Sequence, residues 1–271
     1  MKSLLLLSVF LSALMGSDAV TTSYKVMLSL FGKVGEAKIT MAERGDEYRM
    51  IVEDYATGLA ADISGHERDR FVSRGHIKDG MYITDTFELY QTNDKTTESN
   101  VYVFDHEAQT VTRFQEKNET VTETTFDAMS MRLVEKQTQK IKQKTEVLDF
   151  YTPYDALSVV LNIPALLKTE SRVEIKPVGL AKKERKMYVG RPDASVVPEL
   201  LGTFHTPTIR RLIQLDSFEL EDEDEYGVLI GYNAQGGIDE VVTKETYFLI
   251  GFGRIEKIGD SSRSVTEIFD E

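Results

Sequence analysis

The sequence contains no cysteine, and that one absence closes four routes. Without a thiol there is no disulfide framework, no thiolate metal site, no cysteine nucleophile and no attachment point for a lipoprotein's lipid. Basic residues are also short: 32 Lys and Arg stand against 45 Asp and Glu, a formal net charge of −13. A field of that sign repels phosphate, so no nucleic-acid partner is expected. Catalytic signatures are missing as well. Ser158, in Ala156-Leu157-Ser158-Val159, lacks the glycines of a nucleophile elbow. Gly251-Phe252-Gly253 meets Glu256 where a dinucleotide fingerprint needs its third glycine. The four histidines, His66, His76, His106 and His205, show no metal-ligand spacing. The expectation is therefore no metal, no cofactor, no catalytic residue and no enzyme. Paired carboxylates escape any motif search, so a hydrolase built on them stays as the last alternative.

What the chain does carry begins at its start. Lys2 is followed by a mostly apolar run from Leu4 to Met15 and then by Ser17-Asp18-Ala19. A basic n-region, a short apolar core and small residues before a cut are the marks of a secretory signal peptide, with cleavage expected before Val20. The run is 12 residues long, too short for the ~20 that a bilayer core demands, so a retained anchor is the lesser reading. No later segment is apolar enough to span a membrane. Cleavage leaves about 250 residues, read as one β-rich domain from 20 to 271 in a periplasmic location, with two β modules joined near residue 150 as the alternative.

From Val20 onward the dominant period is two. Tyr24, Val26, Leu28 and Leu30 alternate with polar residues; Gly32-Lys33-Val34-Gly35 reads as a turn; Ala37, Ile39 and Met41 form a second strand, and Tyr48, Met50 and Val52 a third after Gly45-Asp46. Short turns demand antiparallel pairing. Further strands are predicted at 71–77, 81–90, 100–105 and 111–114, with Asp79-Gly80 as a tight hairpin turn. The stretch 116–125 is too polar to extend the last strand, and 132–146, with Lys136, Lys140, Lys142 and Lys144, fits an exposed strand pair or a short helix equally well. Later strands fall at 173–178, 186–189, 208–215, 228–232 and 240–249.

One segment breaks the pattern. Thr152-Pro153-Tyr154-Asp155 reads as a helix start with Thr152 as cap, and Ala156, Leu157, Val160 and Leu161 follow at helical spacing until Pro164. Val159 and Ile163 make this helix, about 153–164, apolar nearly all round, which predicts burial. The acidic run Asp216 to Glu225 begins like a calcium loop at Asp222 and Asp224. Tyr226 then replaces an oxygen ligand, and Asn233 stands where the bidentate Glu belongs. A solvated loop is the better reading there. The cluster His66-Glu67-Arg68-Asp69-Arg70 is read as exposed ion pairs.

Three stretches together resemble domain-of-unknown-function family 3108, a group of exported bacterial proteins. They are Tyr24 with Gly32-Lys33-Val34-Gly35-Glu36-Ala37, Ser73-Arg74-Gly75 with Asp79-Gly80, and Tyr154-Asp155-Ala156-Leu157-Ser158. The resemblance spans roughly Ser23 to Phe252, with Ala156 where the family pattern would place a proline. It implies an envelope location and a β-rich fold, and transfers no activity. The fold expected is a curved antiparallel sheet, or half-barrel, wrapping the single helix. The function expected is binding of a lipid or apolar small molecule between sheet and helix, with Leu157, Val160 and Leu161 as ligand-binding residues. An envelope protein docking on a sheet edge or the acidic loop is the alternative partner.

Overall fold

The computed structural model describes residues 18–127, 129, 131–179, 186–218, 225–234, 236–243 and 253–271. Eight strands come first: β1 (Asp18–Leu28), β2 (Gly32–Arg44), β3 (Glu47–Ala56), β4 (Arg68–Lys78), β5 (Met81–Thr92), β6 (Thr96–Asp105), β7 (Thr110–Asp127) and β8 (Arg132–Val147). Each pairs antiparallel with the next. Six more follow: β9 (Arg172–Ile175), β10 (Lys186–Gly190), β11 (Arg211–Phe218), β12 (Glu225–Tyr232), β13 (Ile238–Thr243) and β14 (Gly253–Ser264). Because β14 pairs with β1, the two runs fuse into one 14-stranded sheet in the order 8-7-6-5-4-3-2-1-14-13-12-11-10-9. The fold is mainly β, in one large antiparallel sheet that does not close into a barrel.

Among the described residues four helices accompany it: α1 (Leu59–Ser64), α2 (Ala156–Leu166), α3 (Val197–Leu201) and α4 (Val265–Asp270). The segment joining the two outermost strands, β8 and β9, carries α2. On one face of the sheet Tyr24, Ile39, Met50, Val52, Phe71, Phe87 and Tyr102 share a core with Met187, Ile213, Ile230 and Ile255. Residues at odd steps between these turn to the other face. There Ala19, Ala42, Ile51 and Val72 form a second, smaller core capped by Ile268 of α4. Buried Arg49 fixes that helix by donating to the Ile268 carbonyl at 2.6 Å.

Several expectations shift. The turn after β1 is residues 29–31, and Gly32 to Gly35 already belong to β2. Gly32 supplies the positive φ of 68° that a three-residue hairpin with an adjacent bulge requires. The polar stretch 116–125 does not end a strand but continues β7, and 132–147 is a single strand paired along it, with no helix. Cross-strand pairing lets a sequence this polar stay extended. β14 and three of the four helices went unpredicted. Residues 1–17, most of the expected signal peptide, lie outside the described residues, as do Asp222, Asp224 and residues 244–252. The expected cut before Val20 falls inside β1, where Asp18 and Ala19 pair with Ser264 and Arg263.

Candidate functional site

Helix α2 is where the sequence placed a site. Thr152 is not its cap; Asp155 is. Pro153 holds the residue before it extended, and the chain runs on as a bridge: Thr84 donates its amide to the Pro153 carbonyl at 3.0 Å, and Asp155 pairs in parallel with Val178. The helix then starts from the stronger acceptor. The Asp155 carboxylate accepts from the amides of Leu157 (2.6 Å) and Ser158 (3.1 Å), while the Ser158 hydroxyl accepts from the Asp155 amide at 2.9 Å, completing a capping box. Ala156 is thus the first helical residue, the position where proline is favoured.

The cap is also a clamp. Ser73 of β4 and Thr84 of β5 each donate a hydroxyl to Asp155 Oδ2 at 2.6 Å. The Tyr48 hydroxyl bonds Ser73 Oγ at 2.9 Å. Complete burial pushes the Asp155 carboxyl upward, and these four donors pull against it. One turn from the other end, Asn162 grips the β5 backbone, accepting from the Tyr82 amide at 2.8 Å and donating to its carbonyl at 2.9 Å. Leu157, Val160 and Leu161, the three expected ligand-binding residues, lie together in the core, none more than 2% exposed.

Carboxylates meet on the same face of the sheet. Asp54 of β3 and Asp69 of β4 stand directly opposite each other, and Gln91 donates to Asp69 at 3.2 Å. Burial first, then the Asp69 and Glu67 charges, push the Asp54 carboxyl up to about 8. Within the expected ion-pair cluster, His66 does stay exposed beside Asp94, and Arg70 reaches Glu53 at 3.7 Å. Asp69 departs from that expectation by turning inward at 4% exposure.

Two of the four scattered histidines also meet. Asp85 Oδ1 lies 3.0 Å from His76 Nδ1 and 3.0 Å from His106 Nε2, and the Tyr151 hydroxyl sits 2.8 Å from His106 Nδ1. A bulge produces this. Arg74 pairs with Thr86 and Gly75 with Thr84, so Asp85 is the extra residue in the β4–β5 ladder, and its side chain is re-aimed. A Cβ on Gly75 would come within 1.9 Å of the Ile83 carbonyl oxygen, so the backbone closes there only around glycine. A second group joins His205, Glu240 and Glu256. Linear spacing gave no sign of either cluster. The Asp79-Gly80 hairpin did place His76 and Asp85 near one another across it.

The comparisons bear on the sheet's first half. The sequence pattern of the family described as "Protein of unknown function (DUF3108)" matches residues 21–152. Residues 21–152 belong to the DUF3108 family. That span runs from β1 to the end of β8 and stops before the Asp155 cap, so the DUF3108 match is shorter than the resemblance suggested. No curated protein and no solved structure matches the chain. No helix among the described residues is long and apolar enough to cross a membrane.

Proposed function

We propose that this DUF3108 protein is an exported, non-enzymatic holding protein of the bacterial cell envelope, which takes a lipid or other apolar molecule between its sheet and helix α2. One observation carries the reading. In sheet order β9 lies ten strands from β5, about 48 Å apart were the sheet flat. Yet Gly179, four residues past β9, touches the Phe87 ring on β5; a Cβ there would sit 2.2 Å from it. Only a strongly curled sheet allows that contact, and the burial of residues 156–163 supports a place for α2 in the resulting concavity. Such a curl supports the half-barrel expected from the sequence.

The signal-like start supports a periplasmic address, and a compartment generally without ATP favours passive holding over cofactor-driven chemistry. In this reading a ligand enters by displacing Leu157, Val160 and Leu161 from the sheet. Docking of a partner on the β8 edge has less support, since Lys140, Lys142 and Lys144 stud that strand as solubilising charges do on natural edges. Native mass spectrometry of protein purified from periplasm should retain an adduct of lipid mass, and a fluorescent fatty acid should bind saturably. Absence of both overturns the proposal.

A further inference from the structure

From the geometry of the β5 bulge we infer that His76, Asp85 and His106 form a binding site for a divalent transition-metal ion. The argument starts from donor chemistry. Two imidazole nitrogens and one carboxylate oxygen are a facial set that suits borderline divalent ions such as Zn²⁺, whereas Mg²⁺ and Ca²⁺ favour all-oxygen cages. Distances come next. Metal–ligand bonds of about 2.0–2.1 Å place neighbouring ligand atoms roughly 3.0–3.4 Å apart in octahedral or tetrahedral geometry. His76 Nδ1 and His106 Nε2 each already lie 3.0 Å from Asp85 Oδ1, and the three ligand atoms fall within 4.8 Å of one another. The donors need only turn toward a shared centre.

Support behind the ligands matches the requirement. A ligating histidine is held by a hydrogen bond to its other ring nitrogen, and the Tyr151 hydroxyl occupies that position on His106. Being donor and acceptor, the phenol serves both states. With no metal it donates to Nδ1 while Nε2–H donates to Asp85; with metal on Nε2 it accepts from Nδ1–H. Phe104 stacks on the His106 ring at 6.3 Å, and the two imidazoles meet edge-to-face at 5.6 Å. The side chains are 36%, 48% and 29% exposed, which leaves an ion a path in and open positions for water or a further ligand.

The His205 group lacks this fit. Glu240 already accepts from the amides of His205 and Thr206 and pairs with Arg254, and Glu256 pairs with Lys25 at 2.7 Å. Protein cations fill the place an ion would take. Asp85, by contrast, has the two imidazoles as its hydrogen-bond partners. This inference is independent of the apolar-ligand reading, since none of its residues belongs to α2.

Titration of the chelator-stripped full chain with Zn²⁺ alone tests it calorimetrically. One ion should bind per chain, with no comparable heat from Mg²⁺, and zinc X-ray absorption of the wild type should report two imidazoles. His76→Ala and His106→Gln should each weaken affinity at least tenfold. Tyr151→Phe, a positioning change, should weaken it about 10-fold at unchanged stoichiometry and unchanged metal-free melting temperature. Circular dichroism of the metal-free variants confirms that they fold. Absence of saturable Zn²⁺ binding, full affinity in either histidine variant, or loss only on His205→Gln overturns the inference.

Discussion

Asp54 is a residue in the wrong solvent for its charge. Its Oδ1 is buried and has no hydrogen-bond partner among the described residues, and across the strand it faces another carboxylate. With a folded pKa of about 8 against about 3.9 in the unfolded chain, the folded state binds the extra proton between those values. Stability from this group is therefore present at low pH and is lost as pH rises from about 4 to about 8. Asp54→Asn should flatten that slope and, at pH 8, stabilise the protein by on the order of 1–2 kcal/mol. Thermal melts of both proteins at pH 5 and pH 8 decide it; parallel slopes would count against the assignment. Asp69 shows what single residues reveal in sequence. Within His66-Glu67-Arg68-Asp69-Arg70 only His66 and Arg68 are exposed as expected, Glu67 and Arg70 being half-buried, and strand alternation alone does not say which face of β4 meets the core.

Helix α2 depends on its first turn more than on its length. Removing the Asp155 carboxylate takes away the cap for two amides and the buried acceptor that the Ser73 and Thr84 hydroxyls share. Asp155→Ala should cost about 3 kcal/mol, summing cap loss and the two lost buried hydrogen bonds. Urea unfolding measures this, and a loss under 1 kcal/mol would refute the clamp. The helix was legible because its apolar spacing departs from period two, and because Pro153 and Asp155 mark a start. Its cap was misplaced because the bridges to Thr84 and Val178 are tertiary. Strands β1 to β6 were legible for the complementary reason: one face is buried, so apolar and polar residues alternate. Past Glu119, β7 has only β8 as a strand neighbour among the described residues, none of the described side chains there is buried, and the alternation that betrays a strand vanishes. The bulge at Asp85 left no trace in composition, since it is a property of pairing, and with it the meeting of His76 and His106 stayed hidden.

At the scale of the whole molecule, the contact between Gly179 and Phe87 ties one end of the sheet to the middle of its first half. Gly179 has a φ of 95°, and Phe87 is fully buried, so neither side can yield to an added methyl. Gly179→Ala should destabilise by about 3 kcal/mol or more, from overpacking and backbone strain together. Gly236→Ala is the control: its φ is 84°, with open space around it, so only the strain of about 1 kcal/mol remains. Equal shifts in melting temperature would show that the contact contributes nothing. The pairing of β1 with β14 has a further consequence, in time rather than in space. β1 sits at the centre of the sheet with one edge open until β14 arrives more than two hundred residues later. A nascent chain can zip β1 through β8 early, but this seam closes only after β14 has been made. Until then the β1 edge is a sticky template for other chains, and delivery across a membrane in the unfolded state would spare the protein that hazard.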